Sequence, residues 1–91
     1  MIYEWDESKR LINLGKHGYD FREAWKIFES SIKFTFDSHR PTEKRWNDIS
    51  EIDGTLIVLT LTYTVRGEAV RIISMRKASR KERNLFYGQN S

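Results

Sequence analysis

Seven arginines and lysines crowd residues 66–83, against only Glu68 and Glu82. They are Arg66, Arg71, Arg76, Lys77, Arg80, Lys81 and Arg83; elsewhere nine bases are outweighed by eleven acids. A positive field confined to the C-terminal third favours polyanions as partners. Within it, in the stretch RIISMRKASRKER, Ile72, Ile73 and Met75 mix with charge as they would in a strand. A guanidinium fork holds a phosphate through two hydrogen bonds, so Arg66 and Arg76 are candidates to clamp one. RNA can be cut without a metal when its own 2′-hydroxyl attacks the neighbouring phosphorus. That step needs a base, a charge clamp on the phosphoryl oxygens and an acid for the leaving oxygen. Arg, Lys, His, Tyr and Glu suffice, which brings in His17, Glu82, and the pair Arg83 and Tyr87 four residues apart on one helical face.

Each of these residues also has a structural reading. Glu82 stands three after Ser79, the spacing of a capping box. Lys16 and His17 precede Gly18 and suit the negative end of a helix. Arg66 fits an exposed turn and Tyr87 fits core packing. Arg76 lies among apolar neighbours and needs an anion, either a ligand or Glu82 or Glu43, because an unpaired buried charge costs several kcal/mol. Trp5, Trp25 and Trp46 read as core.

Other chemistries are not indicated. The chain has no cysteine, no glycine-rich phosphate loop, and only His17 and His39, in different contexts. Neither a metal site nor a cofactor is expected. No apolar run approaches the ~20 residues that span a membrane, and MIYEWDESKR does not read as a signal peptide, so the expected location is the cytoplasm.

At 91 residues the chain is expected to be one domain, 1–91. MIYEW reads as a first strand. Asp6 caps a helix through about Lys16, with Leu11, Ile12 and Leu14 as its apolar side. Asp20 and Glu23 form a capping box for a second helix that buries Phe21, Ala24, Trp25 and Phe28. IKFTF alternates Ile32, Phe34 and Phe36 against Lys33 and Thr35 as a strand, and Pro41 marks a loop. KRWNDIS is the next strand, and Asp53-Gly54 signal a tight hairpin. Ile57, Leu59, Leu61, Tyr63 and Val65 line one face of the strongest strand. The last strand puts Val70, Ile72, Ser74 and Arg76 on one face and Arg71, Ile73, Met75 and Lys77 on the other. A short helix from about Arg80 to Tyr87 closes an α+β domain of order β-α-α-β-β-β-β-α, with its last four strands an antiparallel meander.

YEWDESK, NLGKHGYDFREAWKIF, TYTVRG and RIISMRKASRKERNLFY, in that order, resemble the BrnT family of type II toxins. Glu43-Lys44-Arg45 matches the family's middle motif, with Ser50 where the family has glycine. The resemblance implies a RelE-like fold and a metal-independent endoribonuclease that arrests translation. It implies a BrnA-like antitoxin carrying a ribbon-helix-helix part, a hetero-oligomer with it, and operator DNA bound only through that antitoxin. The family motifs fall on Lys16, His17, Glu43, Arg45, Arg66, Arg76, Glu82, Arg83 and Tyr87. Arg66, Arg76, Glu82, His17 and Lys16 are the expected catalytic set, with Arg83, Tyr87, Arg45 and Glu43 binding RNA. The competing reading is a non-catalytic or degenerate module that grips RNA or antitoxin and serves operon autoregulation.

Overall fold

A computed structural model describes residues 1–38 and 43–90. The loop expected at Pro41, with His39, lies outside the described residues. The elements are β1 (Ile2–Glu4), α1 (Glu7–His17), a 3₁₀ turn (Phe21–Glu23), α2 (Trp25–Phe28), β2 (Phe34–Ser38), β3 (Arg45–Glu51), β4 (Val58–Arg66), β5 (Ala69–Lys77) and α3 (Arg80–Asn90). This is the expected α+β order. The strands form one sheet, β1-β5-β4-β3-β2, antiparallel from β2 to β5, with β1 added parallel to β5.

The boundaries follow the punctuation of the sequence. Asp6 accepts the amides of Ser8 and Lys9 at the start of α1, and Gly18 ends it at φ 80°. Asp53 and Gly54, at φ 50° and 69°, are the two central residues of the β3–β4 turn, closed by Thr55 N donating to the Ile52 carbonyl at 3.0 Å. Ser79 and Glu82 make the capping box of α3, each side chain accepting the other's amide, at 3.2 and 2.8 Å. The box expected at Asp20 and Glu23 does not form: Glu23 reaches Lys26 instead. Asp20 holds Arg10 and Arg22, whose charges, Arg22 foremost, keep its carboxyl well below the usual range.

Two apolar clusters flank the sheet. The larger joins Phe21, Ala24 and Ile27 to Leu59, Leu61, Tyr63, Val70, Ile72 and Met75. The smaller, on the other face, joins Ile49, Val58 and Phe86 with Phe34, Phe36 and Ala78, and α3 rests on it. Some expected core positions are instead exposed: Leu11, Ile12, Trp25, Ile32, Ile57 and Val65. In α1 the buried residue is Asn13, because that helix lies along the uncovered edge of β5. Asn13 Nδ2 donates to the Met75 carbonyl at 2.9 Å, and its Oδ1 accepts the Met75 amide at 3.3 Å. One side-chain amide thus stands in for the strand that β1, ending at Glu4, does not supply.

The faces of β5 differ from simple alternation. Thr62 pairs with Ser74 but Tyr63 pairs with Ile72, so Ile73 is an unpaired bulge residue. Val70, Ile72, Met75 and Lys77 therefore share the face of the larger core. Arg71, Ser74 and Arg76 share the other, opposite Thr64, Thr62 and Thr60.

Candidate nucleic-acid interface

The arginine-bearing face has a polar floor. Thr62 Oγ1 donates to Asn47 Oδ1 at 2.8 Å, and Asn47 Nδ2 donates to Ser38 Oγ at 2.5 Å. Around this floor the expected site residues fall into separate groups.

At the β4–β5 hairpin end is a cleft of about 180 Å³ lined by Asp6, Lys9, Glu43, Arg45, Thr64, Arg66 and Arg71 together with Ile72 and Ile73. Arg45 and Arg66 reach it because strand alternation puts them on the face of Asn47 and Thr64. Glu43 accepts from Arg66 Nη2 at 3.2 Å and from Thr64 Oγ1 at 3.3 Å. Arg71 lies 3.8 Å from Glu4. Arg45 is half-buried, and among the described residues nothing pairs with its guanidinium. Four cations thus face two carboxylates, Asp6 and Glu43, and two of the cations, Lys9 and Arg45, have no ion pair among the described residues.

A second cleft adjoins the first at Lys9 and Ile73, which line both, and continues past Ile12, Asn13, Lys16, His17 and Ser74. Lys9 and Lys16, seven residues apart, rise on one face of α1. Lys16, His17, Glu43, Arg45 and Arg66 are thereby brought along one tract.

Arg76 and Glu82 lie elsewhere. Arg76 pairs across the sheet with Thr60, six residues along β4 from Arg66, or about 20 Å. The two arginines expected to clamp one phosphate are too far apart to do so. Arg76 Nη1 and Nη2 meet Glu82 Oε1 and Oε2 at 2.7 and 2.9 Å. Glu82 Oε1 also accepts from Thr60 Oγ1 at 3.1 Å and from the Ser79 amide. Arg76 foremost, then the Ser79 amide and Thr60, pull the Glu82 carboxyl down to about 2, which makes it a weak base near neutral pH. Arg83 is beside the β3–β4 turn, and Tyr87 donates to Glu51 at 3.2 Å. Neither lines the two clefts.

Lys9 and Arg71 are the cleft cations not expected as site residues. Arg71 was hidden by the bulge, which reverses the face that alternation assigns to it. Lys9 had a usable signal in its spacing from Lys16. Among the described residues no three His, Asp or Glu side chains gather as metal ligands. No helix there is long and apolar enough to cross a membrane.

The arrangement can hold phosphates along a groove and present a carboxylate, an imidazole and an amine beside them. The family profile described as the ribonuclease toxin, BrnT, of type II toxin-antitoxin systems matches residues 5–82. No curated protein matches the chain at a significant level.

Proposed function

The chain therefore belongs to the BrnT family, the ribonuclease toxins of type II toxin-antitoxin systems, and on that footing we propose a metal-independent endoribonuclease of the cytoplasm, which arrests translation by cutting RNA and is silenced by a BrnA-like ribbon-helix-helix antitoxin. The observation that carries the proposal is Arg45, a half-buried guanidinium with no partner among the described residues, in a cleft with Arg66 and Arg71. A charge so placed calls for an anion, and a phosphate matches its fork.

In this reading Arg45 holds the phosphate at the cutting point and stabilises the charge that grows on its oxygens, while Arg66 and Arg71 each hold a phosphate beside it. A base takes the 2′-hydroxyl proton, the oxygen bonds to phosphorus, and the bond to the 5′-oxygen breaks as that oxygen gains a proton. The products are a 2′,3′-cyclic phosphate and a 5′-hydroxyl. Glu43, poised by Arg66 and Thr64, is the proposed base, with His17 or Lys16 supplying the proton. Arg76 would meet a different phosphate of the same strand. Arg83 and Tyr87 would touch only an RNA that runs the length of the sheet. Glu82 serves α3 and Arg76 rather than the reaction.

The test is end-labelled single-stranded RNA incubated with the purified chain in EDTA. Cleavage to cyclic-phosphate ends, reduced at least tenfold in a folded Arg45→Ala variant, is expected. RNA that stays intact while saturably bound would replace this reading with the binding module.

A further inference from the structure

The end of the sheet opposite the cleft carries a feature outside the proposed cutting site. Leu56 is 86% exposed and Ile57 43%, although Val58 beside them is buried. Together with Val58 they form the aliphatic side of a groove whose other side is Lys77, Ala78 and Arg83. Among the described residues neither Lys77 nor Arg83 has a salt bridge, and Arg80 and Lys81 next to them have none either. Of the nearby carboxylates, Asp53 is paired with Lys26 at 3.0 Å and Glu82 with Arg76; Glu51, which accepts from Tyr87, is a single charge against the four cations. The groove is thus apolar on one side with uncompensated positive charge on the other.

We propose that this groove docks an acidic, amphipathic segment of a partner protein, two aliphatic side chains entering beside Leu56 and Ile57 and carboxylates meeting Lys77 and Arg83. Opposite charge across a small apolar contact sets both orientation and partner choice. A second copy of this chain would bring like charges together, and an RNA strand gains little from an aliphatic wall. The proposal rests on the toxin reading, in which the partner is the antitoxin. Val58 and Arg66 are the two ends of β4, about 26 Å apart, so an occupant of the groove leaves the arginine cleft uncovered. Grip and inhibition then belong to different parts of the partner.

The experiment pans a random-peptide display library against the folded chain and titrates the most enriched peptide. Enriched sequences should pair aliphatic residues with Asp or Glu. Leu56→Asp and Lys77→Glu should each weaken the peptide at least tenfold while the RNA-cleavage rate stays at the parent value. Enrichment without acidic residues, affinity unchanged in both variants, or a concentration-dependent dimer abolished by Leu56→Asp would overturn the proposal. Peptide affinity and RNA cleavage are read separately, so failure of the groove and failure of the nuclease assignment give different results.

Discussion

The guanidinium of Arg76 and the carboxylate of Glu82 meet through two parallel hydrogen bonds, tying the last strand to the helix that follows it. Other contacts that hold α3 include Phe86 in the smaller core, Tyr87 against Glu51, Thr60 against Glu82, and the cap at Ser79. The pair is only partly exposed, at 34% and 12% of the two side chains, so removing one partner strands the other.

Glu82→Ala should destabilise the protein by about 2–3 kcal/mol through loss of the cap and the ion pair together. Urea unfolding gives the magnitude, and amide exchange should show α3 loosening before the sheet. Parent-like protection across α3 would refute the pinning role.

The same carboxylate makes stability depend on acidity. Its value falls from 4.5 to about 2 on folding, so its contribution is complete above about pH 5 and lost as pH drops through 2. That contribution is on the order of 3 kcal/mol. The stability difference between the parent and Glu82→Gln should shrink steadily from pH 5 to pH 2. A constant difference across that window would show that the carboxylate is not so held.

Asn13→Asp tests the clip on Met75. The parent amide donates to the carbonyls of Tyr19 and Met75, and a carboxylate would turn an acceptor toward both. A loss of about 2–4 kcal/mol is expected, with faster exchange of the Met75 amide. A variant as stable as the parent would mean the contact is incidental.

Asp48 is fully buried and accepts from Lys33 at 2.8 Å, Thr35 at 2.7 Å and Tyr63 at 3.1 Å. Lys33→Met leaves that carboxylate without its counter-charge and should cost about 3 kcal/mol. Adding Asp48→Asn should recover part of the loss, because an amide needs no cation. Strict additivity in a thermal or urea double-mutant cycle would rule out coupling of the pair.

Binding of a non-cleavable 2′-deoxy oligonucleotide should weaken with salt. Three arginines that each neutralise one phosphate give a slope of roughly −2 in log affinity against log salt on a single strand. Arg45→Ala should flatten it by about 0.7. Fluorescence anisotropy over a salt series measures both, and a slope unchanged by the substitution would remove Arg45 from the contact.

Much of the architecture was legible because short-range chemistry marks it. Asp6, Gly18, Asp53-Gly54 and the Ser79–Glu82 box each act within a few residues, and each sits where its chemistry requires. The site was less legible because its geometry depends on pairings across the sheet. Nothing local to Arg66 or Arg76 reveals that they occupy opposite ends of a strand pair. Leu11 and Ile12 belong to the apolar side expected of their helix, yet α1 turns Asn13 inward to satisfy a backbone edge far away in sequence. Period-two counting across Ile73 misassigned Arg71 because a bulge leaves no signature in hydrophobicity.

That single unpaired isoleucine also bears on shape. Deleting it would leave a regular ladder, Ser74 still opposite Thr62 and Ile72 still opposite Tyr63, with every residue on its present face. What would change is curvature, because an extra residue in one strand bends it and tightens the local twist. Ile73 lines both clefts where they meet. The concavity of the basic tract is therefore adjustable by chain length at one position, independently of the fold that carries it.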